Sequence, residues 1–147
     1  MSDAGDEFYA SEDLEAILEQ ARSIKEAVGI CVFQPGGSMV STDNVKSVDV
    51  SQFTRYMGNG GETTVPLQFN GEHFVYLNEQ QTERNSDENK VFCFMSKNKL
   101  NITGQEEKVA LVVMYHELGL FVCALCAENN LRIIVGDLYI KLVKEMA

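Results

Sequence analysis

Apolar positions follow a helical spacing in the first part of the chain and a strand spacing after Gly29. Before Gly29 they recur every three or four residues, which is one face of an amphipathic helix. The residues on this face are Leu14, Ile17, Leu18, Ala21, Ile24 and Val28. Ser11 precedes them as a helix N-cap, and acidic residues follow it, where the helix dipole favours negative charge. The pattern predicts a helix that begins near Ser11.

Short apolar runs bounded by turn residues predict the strands. The predicted strands are residues 30–33, 38–41, 65–69, 73–77, 91–95, 109–115 and 120–127. The clearest hairpin turns at Asn70-Gly71, the dipeptide best suited to the positive φ angles of a type I′ turn. Polar residues 79–90 and 97–107 are predicted loops, and the last hairpin turns at residues 116–119.

Two further helices are predicted. A short one begins at Asp49, with Gln52 in a capping box and Val48 packed on Phe53. The second follows Asn129 or Asn130, and its apolar side is formed by Leu131, Ile134, Val135, Leu138, Leu142 and Met146. Gly136 inside this helix is expected to mark close approach to the sheet.

This order of elements predicts an α+β fold, a single antiparallel meandering sheet with N- and C-terminal helices packed on it. Residues 1–10, which are small and acidic, are expected to form a flexible extension. Residues 11–147 contain no repeat or composition break, so we expect them to form one domain.

Composition and charge narrow the classes of partner. The formal net charge is −10 and the few basic residues are scattered, which argues against nucleic acid and anionic membranes. The acidic N-terminus has no apolar stretch of the kind found in signal peptides, and the apolar runs are too short to span a bilayer. We therefore expect a cytoplasmic protein.

The sequence contains no convincing catalytic or metal-binding pattern. His73 begins a strand and His116 lies in a turn, where exposed polar residues are common. Cys123 and Cys126 form a CxxC spacing, but this motif ends an apolar strand, where positions three apart point to opposite faces of the sheet. Zinc would require two further ligands at similar spacing. We expect structural cysteines, no enzyme activity, no cofactor and no metal site.

Four stretches, read in order, resemble the profilin family across residues 11–147. Residues 28–32 are similar to the family's first core strand, and residues 47–53 to the segment that enters its short middle helix. Residues 67–76 resemble the hairpin that follows, and residues 120–132 resemble the last strand running into the C-terminal helix. The order and spacing of these stretches carry the resemblance.

The resemblance implies a monomeric protein that binds monomeric actin and promotes exchange of the nucleotide bound to actin. Family members use the outer face of the later strands with the start of the final helix. The matching positions here are His73, Asn78, Lys97, Asn129, Asn130 and Arg132. Lys97 and Arg132 would pair with acidic groups of the partner, and the asparagines would hydrogen-bond its backbone. The alternative for each position is an ordinary surface residue.

Some features depart from the family. Its members hold proline-rich peptides with aromatic residues that include tryptophan, and this chain has no tryptophan. Phe8, Tyr9 and Tyr139 are the nearest substitutes, so we expect binding of proline-rich peptides to be lost or altered. The acidic extension and the long loops suggest a divergent member, of a protist or Asgard-archaeal type. The negative charge also argues against phosphoinositide binding.

Two other classes fit the same order of elements. A roadblock or longin-like module would scaffold small GTPases, often as a dimer, and need not end in a long amphipathic helix. A small-molecule sensor domain would require a pocket with converging polar groups. The mass in solution distinguishes the first class, which is often dimeric, from the monomer that the profilin resemblance implies.

Overall fold

The computed structural model describes residues 11–34, 39–46, 48, 67–80, 90–102, 104–116 and 120–138. In chain order the elements are α1 (Ser11–Arg22), β1 (Gly29–Phe33), β2 (Met39–Ser41), β3 (Leu67–Phe69), β4 (Glu72–Gln80), β5 (Lys90–Ser96), β6 (Val109–His116), β7 (Leu120–Ala127), a 3-10 turn (Glu128–Asn130) and α2 (Leu131–Leu138). The predicted extension 1–10, the short helix from Asp49 and the end of the predicted C-terminal helix, residues 139–147, lie outside the described residues.

The predicted α+β fold with one meandering sheet is wrong. Strands dominate the structure, and seven antiparallel strands form a curled, half-barrel sheet with two short helices. The sheet order is β2-β1-β7-β6-β5-β4-β3, so only β3 to β7 meander. β1 pairs with β7, at the other end of the chain. Every residue of β1 is buried, and an unbroken apolar run does not reveal which strands lie beside it.

The sheet has two different faces because side chains alternate along each strand. The aliphatic face carries residues such as Ile30, Val112 and Val122, and it is packed with the apolar side of α1 and with Ile134 of α2. The aromatic face carries six phenylalanines, which are Phe33, Phe69, Phe74, Phe92, Phe94 and Phe121. α1 contacts β1 and β2, whereas α2 contacts β6 and β7.

Several local predictions are confirmed. α1 begins at Ser11, and its predicted apolar residues Leu14, Ile17, Leu18 and Ala21 are buried. The helix ends at Arg22, so Ile24, which is buried, and Val28, which is half-buried, follow it and do not lie on its face. Asn70 and Gly71 have φ angles of 57° and 82°, as a type I′ turn requires. Two details differ. His116 ends β6 rather than lying in the turn, and a Cβ on Gly136 would meet no described atom within 4 Å, so Gly136 does not mark close approach to the sheet.

Asn70 also joins the two edges of the curled sheet. Residues 42–46, which we call the crossing segment, leave edge strand β2 and reach the turn beside edge strand β3. The Lys46 N–H donates to Asn70 Oδ1 at 2.8 Å, and Asn70 Nδ2 donates to the carbonyl of Asn44 at 2.8 Å. Asn44 Nδ2 in turn donates to the carbonyl of Val28, just before β1. The crossing segment thus connects β1 with the β3–β4 turn.

Candidate binding surface

Strand register brings residues distant in sequence to one end of the sheet. Phe74 of β4 pairs with Ser96 of β5, Met95 of β5 pairs with Ala110 of β6, and Val109 of β6 pairs with Ala127 of β7. The start of β4, the end of β5, the start of β6 and the end of β7 therefore lie side by side. At the spacing of antiparallel strands, this row is roughly 15 Å across.

His73, Lys97 and Lys108 occupy the next position outward on three of these strands. The Lys97 N–H donates to the carbonyl of His73 at 3.0 Å, which continues the ladder by one residue. Lys108 Nζ donates to the carbonyl of Lys97 at 3.0 Å. His73 and Lys97 are exposed, and Lys108 is half-buried. The Lys108 ammonium is therefore held at the backbone of Lys97, where the two strands end.

A buried hydroxyl fixes the connection between β5 and β6. Ser96 is buried, its Oγ donates to the carbonyl of Asn98 at 2.6 Å, and it accepts from the Val109 N–H at 3.0 Å. Farther along, Leu100 and Glu107 exchange two backbone hydrogen bonds, and the Leu100 side chain is buried. The predicted polar loop 97–107 is therefore anchored at both places, which sets the positions of Lys97 and Lys108.

A polar cleft of about 450 Å³ lies at the same end of the sheet. It is lined by Lys25, Glu26, Val28, Gln105, Glu107, Ala127, Asn129 and Asn130. Pockets for small organic ligands are mostly apolar. Only two of the lining residues here are apolar, so the cleft is better suited to polar side chains and backbone groups of a partner.

The structure places the predicted site residues as follows. Asn129 and Asn130 form the 3-10 turn and line the cleft, and Arg132 follows them as an exposed residue of α2. Asn78 lies five residues beyond His73 on β4, roughly 16 Å away at the rise of a strand. The register therefore groups five of the six candidates at one end and leaves Asn78 apart. Phe8, Tyr9 and Tyr139 lie outside the described residues.

The sequence prediction missed several residues of this region. Lys108 lies beside Lys97 because β5 and β6 are antiparallel, and Lys25, Gln105 and Glu107 line the cleft. The signal for Lys108 was available, since a hairpin places the residues that flank its loop opposite one another. The lining of the cleft depends on the pairing of β1 with β7, which the sequence does not reveal.

The cysteines behave as the sequence predicts for structural residues. Cys123 lies in the aromatic cluster and Cys126 in the aliphatic cluster, so the CxxC cysteines point to opposite faces. Burial raises the pKa of Cys31 to about 12 and raises the pKa of Cys123 well above its usual range. Burial, with a smaller effect of Cys93, raises the pKa of Cys126 to about 12. Thiols with raised pKa values are poor nucleophiles at neutral pH.

Within the described part of the chain, no group of three or more potential metal-binding side chains occurs. No helix in the described ranges has the length and apolar character needed to cross a membrane. Comparison with protein-family models finds no match, and comparisons with curated proteins and with solved structures find no significant match either.

Proposed function

We propose that this chain binds another protein through the sheet end just described and that its partner is monomeric actin. We call this region the end surface, and it consists of His73, Lys97, Lys108, Asn129, Asn130 and Arg132. The observation that supports a binding role is the convergence of these residues from β4, β5, β6 and the start of α2. The choice of actin rests on the resemblance of the sequence to profilins.

The chemistry of the end surface suits an acidic protein surface. Arg132 presents a guanidinium that can bind a carboxylate through two parallel hydrogen bonds, whereas Lys97 and Lys108 supply point charges. Asn129 and Asn130 add amide groups that can both donate to and accept from a partner's backbone. Lys97, Lys108 and Arg132 would attract acidic groups of a partner during encounter. Glu107, which lines the cleft, would limit this attraction.

In this proposal the protein binds one actin monomer, promotes exchange of the bound nucleotide and slows spontaneous nucleation of filaments. It acts as a monomer in the cytoplasm, in association with the cytoskeleton, and it requires no cofactor. Catalysis by the chain itself is not part of the proposal.

The test follows assembly of pyrene-labelled actin together with the exchange rate of its bound nucleotide. We expect Lys97→Glu and Arg132→Glu each to weaken monomer binding about tenfold, equivalent to about 1.4 kcal/mol. Both side chains are exposed, so the fold should survive the changes. Arg22→Glu is the matched control, because Arg22 is exposed on α1 and its ion pair with Glu19, at 3.4 Å, lies at the surface.

The outcomes separate the surface from the partner. If the native chain binds actin and all three variants bind it equally well, the end surface is removed from the proposal. Absence of actin binding by the native chain, with standard actin and with actin from a related source, would reject actin as the partner. The scaffold for small GTPases is then the next prediction to test, by measuring the solution mass and the binding of purified GTPases.

A further inference from the structure

Two cysteines lie directly opposite each other on adjacent strands, β1 and β7, near one edge of the sheet. Cys31 of β1 is the register partner of Cys123 of β7, and both are free and fully buried. Both belong to the aromatic cluster, so their side chains point to the same face. The neighbouring thiol of Cys31 also adds to the rise in the pKa of Cys123, after the larger effect of burial.

Their backbone positions suit a disulfide. Opposite residues of antiparallel strands have Cα atoms about 4.5 or 5.5 Å apart, depending on the type of pair. Disulfides span Cα separations of about 4.4–6.8 Å, which includes both values. The bond could therefore form without displacement of either strand.

The other two cysteines provide an internal contrast. Cys93 lies on β5 and Cys126 on β7, and β6 runs between these strands. Two strand spacings and a displacement of two residues along the strands separate their Cα atoms by roughly 12 Å, which exceeds the limit of about 7 Å for a disulfide in an unchanged backbone. The chain thus has one pair of cysteines that can be bridged in the native sheet and one pair that cannot.

We propose that Cys31 and Cys123 form a reversible disulfide that joins the β1–β2 hairpin to the rest of the sheet. The co-reactant is a small-molecule disulfide such as oxidised glutathione. One cysteine thiolate attacks it and forms a mixed disulfide, and one glutathione leaves as a thiol after taking up a proton. The second cysteine then displaces the other glutathione. Two protein thiols are oxidised and one small disulfide is reduced to two thiols.

Access to the thiols controls the rate of this reaction. Both sulfur atoms are shielded from solvent, so the reagent reaches them only when the aromatic face is uncovered or β1 separates from β7. Among the described strands, β1 and β2 pair with the rest of the sheet only through β7, and the crossing segment adds the two hydrogen bonds with Asn70. The rate of oxidation therefore reports local opening around this pair of cysteines, and the completed bond then holds β1 on β7.

The experiment incubates the full chain with oxidised glutathione, in buffer and at a urea concentration below the unfolding transition. The loss of two hydrogen atoms is measured by intact mass, and the bridged peptides are identified after digestion without reductant. We expect the Cys31–Cys123 bond, formed faster in urea, and a higher urea midpoint for the oxidised form. A Cys93→Ala/Cys126→Ala variant should retain the reaction, and a Cys31→Ala/Cys123→Ala variant should lose it.

The peptide map of the native chain decides the question even if a variant fails to fold. Absence of an intrachain disulfide under both conditions would overturn the proposal. A predominant bond between Cys93 and Cys126 would overturn it as well, because the native register would then not control the pairing. Dithiothreitol should restore the reduced mass and the original urea midpoint.

Discussion

Substitution of Asn70 tests whether its hydrogen bonds to the crossing segment, which join the two edge strands, stabilise the curled sheet. Asn70 combines two roles, a positive φ angle in the β3–β4 turn and two side-chain hydrogen bonds to the crossing segment. Glycine retains the first role and loses the second, because it adopts positive φ readily and has no side chain. Alanine loses both. The two variants therefore separate the turn from the hydrogen bonds.

The magnitude follows from the bonds that are lost. Each hydrogen bond contributes about 0.5–1.5 kcal/mol net, and Asn70 is only half-buried, so Asn70→Gly should lower the free energy of unfolding by about 1–2 kcal/mol. Asn70→Ala should lose a further 1 kcal/mol or so, since left-handed backbone costs about 1–2 kcal/mol in a residue with a Cβ. The expected order of stability is native chain, then Asn70→Gly, then Asn70→Ala.

The assay is urea unfolding followed by far-ultraviolet circular dichroism, because the chain has no tryptophan to report by fluorescence. Asn70→Asp is the matched control. It retains the acceptor for the Lys46 N–H but replaces the donor to Asn44, so its stability should fall between those of the native chain and Asn70→Gly. If Asn70→Gly were as stable as the native chain, with an unchanged dependence of the unfolding free energy on urea concentration, these hydrogen bonds would not stabilise the sheet.

Two further predictions concern the core. Phe94 is buried and packs edge-on against Tyr76 at 5.7 Å, so Phe94→Ala should lower the free energy of unfolding by about 3–5 kcal/mol in urea titrations, and Phe94→Leu by about 1.5 kcal/mol or less. The raised pKa values of Cys31 and Cys126, both about 12 against a usual 9.0, predict a loss of stability in alkali. Above pH 9 the unfolded chain releases thiol protons that the folded chain retains. The contribution of the buried neutral thiols to the free energy of unfolding is therefore fully present below pH 9 and is lost as pH rises toward 12. At pH 10 each thiol should lower the free energy of unfolding by about 1.4 kcal/mol. Cys31→Ala should therefore reduce the slope of the unfolding free energy against pH between pH 9 and pH 10. An unchanged slope would contradict the assignment of this pH dependence to Cys31.

Local elements were predictable because their signals are local. The apolar spacing of α1 and the Asn70-Gly71 turn depend on residues only a few positions apart, and both predictions are confirmed. Burial of the four cysteines followed from their apolar neighbours. The opposite directions of Cys123 and Cys126 followed from the alternation of a strand.

The arrangement of the whole sheet was not predictable, because it depends on contacts between distant segments. β1 and β7 are buried on both faces and carry no polar position that identifies a neighbour. Their pairing places the β1–β2 hairpin beside the last strand. The predicted α+β balance failed for a related reason. Periodicity predicted that helices exist, but it did not predict how much more of the chain would form strands than helices.

The candidate surface was predictable in part: more so than the arrangement of the sheet, and less so than the local elements. The sequence supplied Lys97, Asn129, Asn130 and Arg132 through a resemblance, but only strand register decides which candidates are neighbours. The Asn70-Gly71 turn sets the register of β3 against β4 and so places His73 at the start of β4, but nothing local sets the bulge between Tyr76 and Asn78. In the same way, the pairing of Leu100 with Glu107 closes the loop that brings Lys108 to Lys97. A binding surface built at the ends of strands therefore depends on register more than on composition, and charge reversal at Lys97 tests that register together with the function.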